Sequence, residues 1–215
     1  MIKAKLEFPK CYMSLKRYCK TFHLRSTMYN VMVTYDTFIF LPGIIRFFGY
    51  LAQSRPAEVT QQYPIFLQTV FSFLTVPDPA LKLIAIQTIG AVAHSEQGLR
   101  VVFDDKERND EIMKILCNNI SSSEADVKGR SLEALAMIVH SADIPSEDLS
   151  LLTRSLFSAM ATNPLQILMD VSKQPFQDVH CAVLKVFRSL AKYKWAQEGM
   201  TTCPGKTIKN SLYHV

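Results

Sequence analysis

Thiol and imidazole side chains are the groups in this chain most able to hold a metal ion or act as nucleophiles. Near the start, Cys11, Cys19 and His23 follow the spacing Cys-x7-Cys-x3-His. Structural zinc sites take four ligands, usually from closely spaced pairs; this spacing matches no such pattern and lacks a fourth ligand. We therefore predict no metal site and no cofactor.

His180 and Cys181 are the second candidate for chemistry, because a thiol beside an imidazole can become a nucleophile. Adjacent residues of a helix point ~100° apart, which keeps this pair out of hydrogen-bond reach. The sequence also has no phosphate-binding glycine loop, no nucleophile elbow and no His-Glu-x-x-His motif. We predict that the chain is not an enzyme.

One apolar template occurs four times, in residues 44–52, 85–93, 131–139 and 183–191. Its four apolar positions are a first residue and the residues three, six and seven places after it, which all lie on one face of an α-helix. The first positions of the four copies are Ile45, Ile86, Leu132 and Leu184. They lie 41, 46 and 52 residues apart, close to the ~40–47 residue period of HEAT and armadillo repeats. The pattern predicts an all-α fold, an α-solenoid of armadillo/HEAT-like helical repeats that binds other proteins.

A polar column follows the first template position in all four copies. Its members are Arg46, Gln87, Glu133 and Lys185, with Arg188 one turn further along the last copy. In a stacked array these side chains form a ladder up one face, which we predict as a candidate partner-binding surface. Ordinary solvated positions are the alternative.

A second column follows the last apolar residue of three copies and consists of His94, His140 and Lys192. Cations there favour the negative end of the helix dipole, by ~0.3–1 kcal/mol each when exposed. This structural role is preferred over catalysis.

Composition limits the remaining classes. The net charge of +5 is concentrated in residues 1–37, which contain seven basic and two acidic residues. Basic and acidic residues are equal in number over the rest of the chain, which predicts no nucleic-acid binding there. The five cysteines are scattered without the regular spacing of a disulfide framework, which is typical of proteins in reducing compartments. No apolar run reaches the ~20 residues needed to span a membrane. We expect a soluble cytoplasmic protein without membrane contact, and the nucleus is left open as a further location.

Three other helical segments lie between the copies, over 63–75, 109–120 and 146–160. We therefore divide the chain into a divergent basic segment (1–37), a solenoid of about four repeats (38–205) and a divergent tail (206–215). Residues 1–37 could also be a transit segment, although their weak amphipathicity and few serines disfavour this.

Five segments, in order between about Phe38 and Gly205, carry a family resemblance: Phe40–Gln53, Gln61–Phe71, Asp78–Ala93, Ser172–Ala191 and Lys194–Met200. They resemble the family of the 26S proteasome non-ATPase regulatory subunit 5. The resemblance implies an armadillo/HEAT-type solenoid without cofactor or catalytic activity. It also implies a chaperone for assembly of the proteasome regulatory-particle base, which binds an ATPase module through an ATPase C-terminal region and is absent from the mature complex.

Family members are longer, so the resemblance suggests a truncated or variant form. The alternative functions are a generic helical-repeat adaptor and an inactive truncated variant. Co-purification separates them, since the chaperone would bring proteasomal AAA+ ATPase subunits with associated regulatory-particle subunits, and an adaptor would bring other proteins.

Overall fold

The computed structural model describes residues 41–122, 124–140 and 144–202. Within these ranges the chain forms eleven α-helices and no strand, which confirms the all-α prediction. The helices are α1 Leu41–Ser54, α2 Pro56–Gln62, α3 Pro64–Thr75, α4 Pro79–Val92, α5 Glu96–Val102, α6 Lys106–Ile120, α7 Ala125–Ile138, α8 Glu147–Met160, α9 Pro164–Ser172, α10 Gln177–Leu190 and α11 Lys194–Thr202. The predicted segments 1–37 and 206–215 lie outside the described residues.

Local sequence signals set where the long helices begin. The Asp78 carboxylate accepts from the amide of Ala80 at the start of α4, and Pro79 occupies the first helical position. Asp105 caps α6 in the same way, so this helix begins three residues before the predicted Asn109. Ser146 caps α8 as its sequence predicts.

The four template copies lie on α1, α4, α7 and α10, and their apolar positions form part of the core. Of the sixteen apolar positions thirteen are buried, Leu51 and Leu184 are half-buried, and only Ala191 is exposed. All three exceptions lie at α1 or α10, the first and last template helices of the described chain. Burial of the other thirteen positions contributes to the hydrophobic stabilisation of the fold.

The template helices contact one another in chain order. Helix α4 packs against α7, and α7 packs against α10. Helix α1 approaches α4 at Gly49, where an added Cβ would lie 3.0 Å from Cγ2 of Thr88. The approach of α4 to α7 is closer still, because a Cβ on Gly90 would lie 2.8 Å from the Cα of Ala134. Glycine is therefore required at position 90 for the two backbones to come together.

A second set of helices covers the other side of this row. Helix α3 packs on α4, α6 on α7 and α9 on α10, so each template helix from α4 onward has its own partner. Helices α6 and α8 also contact each other, and the short helices α2 and α5 pack together. The side of the row away from these partners is the one that carries the polar column.

Candidate protein-binding face

The predicted polar column lies along α1, α4, α7 and α10. Arg46, Lys185 and Arg188 are exposed, whereas Gln87 and Glu133 are half-buried. The difference follows from position, since α4 and α7 have a template helix on each side and α1 and α10 are the outer helices of the described row. Binding of a partner at these residues stays a prediction.

Three members of the column share one depression. Arg46, Gln87 and Glu133 line a space of about 310 Å³ that runs across α1, α4 and α7. Tyr50 also lines it, and this side chain is 70% exposed. An exposed aromatic ring beside charged groups is a common anchor in protein interfaces. The template alignment did not single out Tyr50, although it follows Arg46 by one helical turn.

The other two members meet Glu133 from the opposite side. Lys185 Nζ lies 2.9 Å from Oε1 of Glu133, which joins α7 to α10. Glu133, Lys185 and Arg188 line a second depression of about 490 Å³. The side chain of Lys185 is exposed and that of Glu133 is about half exposed, so the pair adds little to the free energy of unfolding.

A third depression of about 460 Å³ lies toward the start of α7 and α10. It is lined by Asp126, Arg130, Glu133 and Asp178, and by the half-exposed ring of Phe176. Arg130 Nε donates to Oδ1 of Asp126 over 2.8 Å. Because Glu133 lines all three depressions, they form one continuous surface around it, which we call the template face.

His94 and His140 meet at one end of the template face. Their rings stack with centroids 4.3 Å apart and planes 11° from parallel. Burial lowers the pKa of His140, and the nearby charges of His94 and Lys192 lower it further. Burial and like charge therefore disfavour the charged form of His140, and the helix-dipole role inferred from the sequence stays a prediction. The equal position of both histidines in their repeats was the signal that could have revealed the contact.

Of the remaining sequence candidates, His180 and Cys181 lie among the described residues. His180 Nδ1 lies 2.9 Å from the carbonyl oxygen of Ser172, so this nitrogen carries a hydrogen and donates to the backbone. Cys181 is exposed. Cys11, Cys19 and His23 lie outside the described residues. Within the described ranges, no three His, Cys, Asp or Glu side chains are placed to hold a metal ion.

No helix in the described part of the chain combines the length and the apolar character needed to cross a bilayer.

The chain matches a known protein family. A sequence profile described as proteasome non-ATPase 26S subunit matches residues 27–208, a range that includes the predicted 38–205 segment. The chain belongs to the proteasome non-ATPase 26S subunit family. This confirms the family resemblance found in the sequence.

Relatives in this proteasome subunit family are named 26S proteasome non-ATPase regulatory subunit 5. The protein from Bos taurus is 33% identical over 167 residues, covering 77% of this chain and 33% of the relative. The Homo sapiens protein is 32% identical over 168 residues, covering 77% and 33%. The Drosophila melanogaster protein is 24% identical over 161 residues, covering 73% and 31%. The chain thus spans about a third of the length of these relatives. No solved structure matches it.

Proposed function

We propose that this chain is a non-catalytic assembly chaperone of the 26S proteasome regulatory particle, which binds an ATPase subunit of the base through the template face. Family membership supports the association with the proteasome. The observation that carries the choice of surface is the continuity of three depressions around Glu133. A surface that spans four helices suits a protein partner better than a small substrate.

The helix arrangement supports a solenoid of the armadillo/HEAT type. Three successive pairs, α3–α4, α6–α7 and α9–α10, each place a template helix second, and the second helices contact one another in order. A solenoid built in this way presents a continuous row of second helices to a partner. The ladder residues Arg46, Gln87, Glu133, Lys185 and Arg188 would then contact the ATPase one repeat at a time.

The partner is an AAA+ ATPase subunit, contacted at its C-terminal region, and the chaperone leaves before the regulatory particle matures. A transient contact of this kind suits charged, exposed side chains, because polar interfaces separate more readily than apolar ones. The cytoplasm is the expected location.

A capture experiment tests the proposal. The 215-residue chain is immobilised and offered purified proteasomal ATPase subunits one at a time, with circular dichroism recorded on the same sample. Arg46→Glu combined with Arg188→Glu reverses two exposed charges of the template face. The matched control, Lys106→Glu with Lys114→Glu, reverses two exposed charges on α6 that line none of the three depressions.

Selective capture of one ATPase that falls at least tenfold in the face variant, and persists in the control, supports the proposal. Equal capture by both variants rejects the template face as the binding surface. A helical chain that captures no ATPase rejects the chaperone function for this chain.

A further inference from the structure

Five side chains that are cationic or can become so gather at one end of the template face. Three follow α4, α7 and α10 and two lie in the second half of α10; they are His94, His140, Lys192, Lys185 and Arg188, which we call the basic edge. All five line the depression of about 490 Å³. Glu133 is the one carboxylate among the described residues that line it, and Lys185 already contacts that group.

The opposite end of the face has the reverse charge. Asp126 and Asp178 line the depression at the starts of α7 and α10, with Arg130 as the cation between them and Glu133. Because α4, α7 and α10 are successive copies of one template, their starts lie toward one end of the face and their ends toward the other. The face is therefore polarised along the helix axes, with negative charge at the starts and positive charge at the ends.

The lining of the basic edge suits a peptide better than a small anion. Ala136, Met137 and Ser189 form its less polar floor, and Ser189 Oγ donates to the carbonyl oxygen of Ala136 over 3.3 Å. The hydroxyl is thus used within the fold, and the anion-binding capacity comes from the cations at the rim. A depression with an apolar floor and a charged rim accommodates an extended segment whose carboxylates reach the rim.

Nucleic acid is the less favoured anion. Basic and acidic side chains are balanced over residues 38–215, and the acidic end of the face would repel a phosphate backbone that continued along it. A peptide can match both ends, since acidic and basic residues alternate freely in a protein sequence.

We propose that the basic edge binds an acidic peptide segment, carrying at least two carboxylates, of the protein partner. This inference rests on the proposed use of the template face for partner binding, and it adds the chemistry and the direction of the bound segment. The acidic residues of the segment lie over the ends of α7 and α10, and its basic or neutral residues lie toward Asp126 and Asp178.

Binding at this edge depends on pH. The charged and titratable groups around His140 come from three helices. They are His94 just after α4, Glu133 on α7, Lys185 and Arg188 on α10, and Lys192 just after α10. A bound carboxylate stabilises the imidazolium form of His140, so the acidic segment binds more tightly as the pH falls from 7.5 to 5.5. Glutamate side chains, with ordinary pKa values near ~4.3, stay ionised over this range.

Fluorescence anisotropy with synthetic peptides tests the inference directly. The probe is a labelled twelve-residue peptide of alternating Glu and Leu, and its control replaces every Glu with Gln. Arg188→Gln with Lys192→Gln removes two charges of the basic edge, and Lys106→Gln with Lys114→Gln removes two exposed charges on α6 as the matched control. His94→Gln with His140→Gln tests the pH dependence.

We expect the Glu peptide to bind the full chain and the Gln peptide to bind at least about tenfold more weakly. Loss of two rim charges weakens binding about three- to tenfold, whereas the α6 control leaves it unchanged. Binding tightens about threefold between pH 7.5 and 5.5, and this change disappears in the histidine variant. Circular dichroism confirms that each variant is folded.

Equal binding of the Glu and Gln peptides, or equal weakening by the edge and α6 variants, would overturn the inference. Tighter binding of a single-stranded oligonucleotide than of the Glu peptide would also overturn it. The proposed function is tested separately by ATPase capture. Capture without peptide binding rejects only the acidic-segment inference, and peptide binding without capture rejects only the ATPase as partner.

Discussion

The ammonium group of Lys128 donates to the side-chain oxygen of Gln174 over 2.6 Å, which ties the first turns of α7 to the loop before α10. Lys128 is only 5% exposed. A lysine is seldom buried to this extent without a partner, because its ammonium loses hydration. The bond therefore holds two successive template helices in register at the end opposite the basic edge.

Removal of either partner gives unequal effects. Gln174→Ala leaves the buried ammonium without this acceptor and is expected to lower the free energy of unfolding by about 1–3 kcal/mol. Lys128→Met removes the buried charge itself, so no ammonium group is left without an acceptor. We expect it to lower the free energy of unfolding by less than Gln174→Ala does. Urea denaturation followed by circular dichroism measures both, and a larger loss in Lys128→Met than in Gln174→Ala would contradict this account.

Two glycines of neighbouring helices should respond oppositely to the same change. Gly90→Ala pushes a methyl group against the backbone of Ala134 and is expected to destabilise the fold by about 1–3 kcal/mol. Gly129→Ala, inside α7, places its methyl group where no atom lies within 4 Å, and is expected to stabilise by about 0.5–1 kcal/mol. Thermal denaturation distinguishes them, and stabilisation by Gly90→Ala would show that α4 and α7 can separate without cost.

His140 makes the stability of the fold depend on pH. Its pKa is lowered in the folded chain by burial, then by His94 and Lys192, so the unfolded chain binds a proton more readily. The stabilisation is complete above the ordinary histidine pKa near ~6.5 and is lost as the pH falls toward the lowered value. We expect a lower denaturation midpoint at pH 5.5 than at pH 7.5.

An NMR titration measures the same effect at the residue. His94→Gln removes one neighbouring charge and should raise the pKa of His140, and the missing resonance in His140→Gln provides the assignment. An unchanged pKa of His140 in His94→Gln would show that the stacked ring has no electrostatic influence.

The ion pair of Glu133 and Lys185 should matter little for folding. The two side chains are 46% and 61% exposed, and exposed pairs contribute about 0–1 kcal/mol. A double-mutant cycle with Glu133→Gln and Lys185→Gln is expected to give a coupling energy within this range, which falls at high salt. A coupling above about 2 kcal/mol would contradict the exposed geometry. Because these substitutions spare the fold, they are suitable probes of partner binding.

Periodicity was enough to predict the long helices and most of the core. The template places Ile45, Ile86 and Leu132 inside, and all three are fully buried. The four short helices α2, α5, α9 and α11 were not predicted. They have seven or nine residues, and such short segments contain too few apolar positions to show a helical period.

The chemistry of the template face was only partly predictable. A column of polar residues could be read from aligned repeats, since one helix position repeats along the array. The stacking of His94 on His140, the exposure of Tyr50 and the Lys128–Gln174 bond depend on the spacing and rotation of neighbouring helices. Those quantities are set by side-chain packing between elements, which a single sequence does not display.

The central place of α7 has a consequence for local opening of the chain. This helix contacts α4 on one side, α10 on the other and α6 behind it, whereas α10 lacks a following template helix among the described residues. Its amide hydrogens can exchange with solvent only after a neighbour has detached, so α7, like α4, should show slower deuterium uptake than the outer template helices α1 and α10. Fraying would then proceed inward from α1 and α10, and the part of the surface around Glu133 would be the last to lose its shape.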